Sequence, residues 1–144
     1  MHVTSQWQEK VRFSASTGAH SVLMDTKAPI GTDQAMSPKQ LLLAAICGCT
    51  GMDVVSWFRK GHATAASVTI DASAELTSGQ PSVFKEVKLV YRIAGEVPAA
   101  LAVEAVEKSM TLYCGVSAMI VKACPITYDI ELNGTFIASG TARF

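Results

Sequence analysis

The sequence predicts an α+β fold for residues 1–144, read as one domain with antiparallel strands set against a long central helix. Three observations carry that reading. First, Ser37 to Lys60 is a strongly apolar run with chemically marked ends. Second, apolar and polar residues alternate along Val68–Leu76, Val87–Ile93 and Ile126–Leu132, the period of strands with one wet face. Third, the strands come as hairpin pairs separated by turn residues, and do not alternate with helices as in a doubly wound parallel sheet.

In chain order, Val11, Phe13 and Ala15 alternate with polar neighbours, Thr17-Gly18-Ala19 is a turn, and Val22 and Met24 alternate again, giving a short N-terminal hairpin. Thr26 to Met36, with Pro29, Gly31 and Asp33, has no period and forms a loop. The long helix follows. Ser37 is its cap, Pro38 suits the first helical position, and Gln40 completes a capping box. Arg59 and Lys60 complement the negative end of the dipole, and Gly61 stops the helix. Thr77 to Ser82 turns the chain between the next two strands. Pro98 opens a second helical region reaching Ala123, with a break expected near Cys114 where Ser109, Thr111 and Gly115 weaken the apolar stripe. Pro125 ends it, Asn133-Gly134 is a tight turn, Thr135 to Ala138 returns along the last strand, and Ser139 to Phe144 is expected to fray.

Composition excludes several functions. Twelve basic and twelve acidic residues cancel, and no basic cluster forms, so a nucleic-acid surface is not expected. The start MHVTSQWQEK lacks the pattern of a signal peptide, which predicts a cytoplasmic protein. Leu41 to Phe58 approaches membrane-spanning length, yet contains Thr50, Asp53, Ser56 and two glycines, so a buried helix is preferred to a membrane span. No dinucleotide fingerprint, Walker loop or nucleophile elbow is present. The four cysteines have no zinc-knuckle spacing: Cys47 and Cys49 are C-x-C, and Cys114 and Cys124 lie too far apart.

The chemistry is expected from thiols. In the middle of the long helix, Cys47-Gly48-Cys49-Thr50-Gly51 replaces better helix formers, each glycine costing about 1 kcal/mol relative to alanine. Something must approach closely there. Leu41, Ala45, Cys49 and Asp53 share one face while Cys47 points nearly opposite, which favours Cys49 as the site residue. Cys49 and Cys114, each beside a small residue, suit a dithiol redox pair. Cys47 and Cys124 are read as core packing, His20 and His62 as turn or helix-end residues, and Tyr113 as a packed aromatic.

The segments SPKQLLLAAICGCTGMDVVSWFRKG and LYCGVSAMI, with a strand hairpin between them, resemble the OsmC/Ohr family of osmotically inducible and organic hydroperoxide resistance proteins, in a less characterised branch. The plan of elements matches from about Val11 to Leu132. The resemblance implies an intertwined homodimer without metal, haem or flavin. It also implies thiol peroxidase activity on organic hydroperoxides, and on hydrogen peroxide in some members. Cys49 would be the peroxidatic cysteine, Cys114 the resolving one, and a dithiol such as a lipoylated protein the reductant.

The chain departs from the peroxidase pattern at three places. Lys39 stands where those members have Glu, no motif supplies the Arg held over the thiolate, and Cys114 is followed by Gly115 rather than Pro. Arg12, Lys39 and Arg59 are the candidate cations. A dimeric binding module for an apolar ligand or thiol carrier, and a stress-induced dimer without small-molecule chemistry, are the alternatives to an enzyme. The apolar face of Leu41–Phe58 fits a two-fold mate, with Ala44, Gly48 and Gly51 letting two backbones come close.

Overall fold

The computed structural model describes residues 1–144. Contacts divide the chain into two compact units, Met1–Leu42 and Leu43–Phe144, with the boundary inside the long helix. The first unit is a three-stranded antiparallel sheet of β1 (Thr4–Glu9), β2 (Arg12–Thr17) and β3 (His20–Met24), in that order. The expected hairpin is β2–β3, turning at Gly18 with φ +56°. Strand β1 lies outside that expectation for a physical reason. Its six residues TSQWQE are all exposed, so there is no wet–dry alternation to read; pairing with β2 alone makes it a strand.

The loop after β3 is organised by one carboxylate. Asp25 Oδ1 accepts from Thr26 N at 2.8 Å, and Oδ2 accepts from Thr32 N at 3.1 Å, Thr32 Oγ1 at 2.6 Å and Gln34 N at 3.2 Å. Gly31 is buried against it, and a Cβ there would overlap the Thr26 carbonyl and the Asp25 side chain. The Thr32 hydroxyl, with the backbone donors, outweighs desolvation and holds the Asp25 carboxyl well below the usual carboxylate range. Because the folded-state value is depressed, this carboxylate contributes stability above about pH 4 that is lost as pH falls through the folded value. Amide NMR shifts of Thr32 and Gln34 are therefore expected to hold steady through pH 4 and move only in stronger acid. A midpoint near pH 4 would contradict this clamp.

Helix α1 spans Pro38–Lys60 and opens with the capping box: Gln40 N donates to Ser37 Oγ at 3.4 Å, and Ser37 N donates to Gln40 Oε1 at 2.8 Å. Gly61 N donates to Trp57 O at the other end. The buried stripe is Ile46, Thr50, Val54 and Phe58 at four-residue steps, one position on from the Cys49–Asp53 row, which is half-buried.

The second unit is built on a four-stranded sheet in the order β4 (Thr64–Leu76), β5 (Phe84–Glu96), β6 (Ile126–Leu132) and β7 (Thr135–Thr141). β4–β5 and β6–β7 are the expected antiparallel hairpins. β5 and β6 pair parallel, from Val87↔Ile126 to Ile93↔Leu132, which corrects the expectation of a wholly antiparallel sheet. Periodicity reports which face of a strand is dry, not its direction. Direction here is set by the helical crossover between β5 and β6, which returns the chain to its starting end. The last residues also differ from the expected frayed tail. β7 reaches Thr141, Ala142 is buried and donates to Ile126 O, and Arg143 N donates to Met110 O.

The crossover consists of α2 (Ala99–Lys108), a π-helical turn (Ser109–Tyr113) and α3 (Gly115–Ile120), so the predicted break is real. α2 packs over β6 and β7. Leu89, Tyr91 and Ile93 of β5 and Ile126 and Ile130 of β6 form one buried core with Val106 and Met110 from the crossover and Ile46, Val54 and Phe58 from α1. Each such fully buried side chain contributes about 1.5–3 kcal/mol.

One glycine is essential to this sheet. At the β4–β5 bulge Gly95 has φ +121°, and a Cβ would lie 2.5 Å from Ala66 N and 3.1 Å from Thr64 O. Asn133 clamps the same residue, its Oδ1 accepting from Gly95 N at 3.0 Å and its Nδ2 donating to Gly95 O at 3.2 Å. Gly95→Ala is expected to cost roughly 2–4 kcal/mol, read as a lower urea midpoint. An unchanged midpoint would refute the assigned geometry.

Candidate active site

Cys49 lies in the middle of α1, half-buried, beside the fully buried Thr50. Cys114 reaches the same place by a different route. The π-helical turn widens the helix by one residue, with Cys114 N donating to Ser109 O at 3.0 Å, and the chain then leaves helical geometry at Cys114 (φ −70°, ψ 94°) before α3 starts. That irregularity turns the Cys114 side chain inward, where it is completely buried. The sulfurs of Cys49 and Cys114 and a carboxylate oxygen of Asp53 all lie within 4.8 Å of one another. Two residues 65 positions apart in number, on separate helical segments, thus share one site with a carboxylate one turn beyond Cys49.

Each partner is held in place. Ser117 donates to Cys114 Sγ from its hydroxyl at 3.0 Å and from its backbone N–H at 3.4 Å. Burial nevertheless pushes the Cys114 thiol up to about 11, with the Ser117 donors opposing and Cys49 adding to the rise. Asp53 Oδ2 accepts from Ser109 Oγ at 2.8 Å, Ser109 Oγ is 2.8 Å from Thr50 Oγ1, and Thr50 Oγ1 is 2.7 Å from Tyr91 OH. A carboxylate only accepts and each hydroxyl has one proton, so the consistent order runs Tyr91 to Thr50 to Ser109 to Asp53. Three buried hydroxyls, one on β5, one on α1 and one in the π-helical turn, thereby fix the carboxylate's position. Burial raises the Tyr91 phenol far above its ordinary value, so it stays a donor.

Thr50, Tyr91, Ser109 and Ser117 escape a reading of the sequence. A faint signal exists, since Thr50 and Ser109 interrupt apolar stripes that would otherwise be continuous. Cys124 sits in the core and Cys47 is half-buried, and burial pushes both thiols up, in keeping with packing roles. Tyr113 is half-exposed with its ring 5.7 Å from that of Trp57, and Lys60 lies 5.3 Å from the Trp57 ring. Among the candidate cations, Arg12 is engaged by Glu9 at 2.6 Å and by Gln34. Arg59 is exposed, about 15 Å along the helix axis from Cys49. Lys39 is exposed in the first turn of α1. Within Leu43–Phe144, no ion pair engages Asp53.

A family model described as OsmC-like protein matches residues 31–129, a stretch that includes both cysteines and the crossover. The chain belongs to the OsmC-like family. Its OsmC-like relative YhfA of Escherichia coli is 31% identical over 134 residues, covering 92% of this chain and 98% of YhfA. Among solved OsmC-like folds, a hypothetical protein from Aquifex aeolicus superposes with a TM-score of 0.83 at 22% identity, over 92% of this chain and 95% of that one. An organic hydroperoxide resistance protein OsmC from Legionella pneumophila superposes with a TM-score of 0.64 at 18% identity, over 91% and 93%. These two share the OsmC-like fold with this chain.

Proposed function

We propose that this OsmC-like protein is a thiol-dependent peroxidase that reduces organic hydroperoxides through Cys49 and Cys114. The observation that carries the reading is the approach of the two sulfurs and Asp53 to within 4.8 Å in a half-buried place. The Cys49 thiolate attacks the outer oxygen of a hydroperoxide, the O–O bond breaks, and the alkoxide leaves as an alcohol after taking a proton. Cys49 is left as a sulfenic acid. Cys114 then attacks the Cys49 sulfur, an S–S bond forms, and hydroxide leaves as water with the Cys114 proton. Asp53 is the group within reach of both sulfurs to carry that proton. An external dithiol, such as a lipoylated protein, reduces the disulfide by exchange. Nothing in this cycle calls for a metal, haem or flavin.

The same reading covers the assembly. Ala44, Gly48, Met52 and Val55 form an exposed face of α1, with Met52 74% exposed and open space over Gly48. Helix α1 is long and apolar enough by length and composition to cross a bilayer. Thr50 and Asp53 in its middle favour a two-fold mate over lipid, giving a cytoplasmic homodimer. Both units are read as one OsmC-like domain, since the family match at 31–129 crosses their boundary. The hydroperoxide reading is also supported by the names of structural neighbours such as the Legionella protein.

The decisive assay follows tert-butyl hydroperoxide consumption by the purified, reduced protein with a dithiol reductant. Catalytic turnover with a Cys49–Cys114 disulfide as intermediate is expected. Lack of turnover, with Cys49 unoxidised at stoichiometric peroxide, would remove the enzymatic reading and leave a dimeric binding module.

A further inference from the structure

We propose that Cys49, Cys114 and Asp53 also form a site for a single zinc ion, taken up by the reduced protein. Spacing along the chain excludes a zinc knuckle, but the fold assembles what the spacing does not. Two sulfurs and one carboxylate oxygen, within 4.8 Å of one another, make an S2O donor set. Tetrahedral zinc, with Zn–S near 2.3 Å and Zn–O near 2.1 Å, places its donors roughly 3.5–3.8 Å apart. The closure needed is about an ångström.

Two further features support a metal over simple proximity. Zinc ligands are characteristically oriented by hydrogen bonds from groups behind them, and here both the carboxylate and the inner sulfur have such support. Ser109 donates to Asp53 at 2.8 Å, fixed in turn by Thr50 and Tyr91, and Ser117 donates twice to Cys114. The second feature is charge. With both thiols ionised the three ligands total three negative charges, and no ion pair within Leu43–Phe144 offsets Asp53. A divalent cation removes most of that repulsion. Thiolate donors select zinc over magnesium or calcium, and three protein ligands leave a fourth position for water on the half-buried Cys49 side.

Both cysteines bind as thiolates, so each thiol that is protonated gives up its proton to solvent when zinc enters, with no change of oxidation state. The bound thiolates are then unavailable to peroxide, and formation of the Cys49–Cys114 disulfide removes two of the three ligands. Zinc occupancy and thiol oxidation therefore exclude each other. Metal binding needs only the two thiolates and the carboxylate, so it stands or falls independently of peroxide turnover, which is measured on the metal-free protein.

The test is anaerobic titration of the reduced, chelator-stripped protein with Zn²⁺ against a chromophoric competitor, with proton release recorded. One zinc per chain, with proton release on binding, is expected at pH 7. Cys49→Ser and Cys114→Ser should each weaken binding about 100-fold or more, Asp53→Asn about tenfold or more, and Cys47→Ser not at all. Co²⁺ on the wild-type chain should give an intense near-ultraviolet thiolate-to-metal band that disulfide formation abolishes. That readout needs no variant to fold. Wild-type affinity no tighter than that of Cys114→Ser, loss of binding in Cys47→Ser, or absence of the Co²⁺ band would each overturn the assignment.

Discussion

Cys49→Ser is expected to lower hydroperoxide turnover by at least about 10³-fold, to the background of reductant and buffer, because the other thiol in the site, Cys114, is completely buried and held protonated, and neither remaining cysteine can take its role. Cys47 is two positions away on nearly the opposite side of α1, and Cys124 is packed in the core. Cys114→Ser should behave differently. Its first equivalent of peroxide should be consumed at close to the wild-type rate, leaving Cys49 heavier by about 16 Da as a sulfenic acid, and then turnover should stall as that species over-oxidises. The split between a dead variant and a single-turnover variant distinguishes attacking from resolving sulfur. Serine is smaller than cysteine and fits either position, and unchanged circular dichroism would confirm that chemistry has been read. Sustained turnover by Cys49→Ser would eliminate the assigned nucleophile. Sustained disulfide cycling by Cys114→Ser would eliminate the pairing.

The second large effect is expected at Asp53. Burial holds the Cys114 thiol well above its ordinary value and so protonated at pH 7, and it needs a proton acceptor when it attacks the Cys49 sulfenic acid. Asp53 lies within 4.8 Å of both sulfurs and its carboxylate is fixed by Ser109. Asp53→Asn keeps the size and a hydrogen-bonding group, yet removes the base. Disulfide formation is expected to slow about 10²-fold while the first oxidation of Cys49 changes little, so a sulfenic-acid trap should label the variant and not the wild type. The pH dependence carries a definite sign. In the Asn variant the resolving rate should rise steadily above neutral pH, following the Cys114 thiolate, whereas the wild-type rate should be much flatter. Equal rates and parallel pH profiles would show that Asp53 takes no part in proton transfer.

Much of this protein is legible without tertiary structure because its cues are local. Ser37, Pro38 and Gln40 satisfy the first turn of α1 from within four residues, and the strands β4, β5 and β6 announce themselves by side-chain alternation. The weak stripe at Ser109–Gly115 marks the break that becomes the π-helical turn. Local cues thus give most of the elements and their capping, and the two thiols proposed as the reacting pair are ones the fold brings within 4.8 Å of each other. Tertiary structure decided three further things. It added β1, which has no dry face, and made β5–β6 parallel, since strand direction depends on the whole crossover and not on any residue within the strands. It also brought Asp53 to both sulfurs and joined it to Ser109, Thr50 and Tyr91. Asp53 reads in one dimension as a charge that opposes a thiolate. Whether a carboxylate repels, accepts a proton or binds a cation depends on distances in three dimensions, and electrostatic energy depends on those distances and on the surrounding medium, not on separation along the chain.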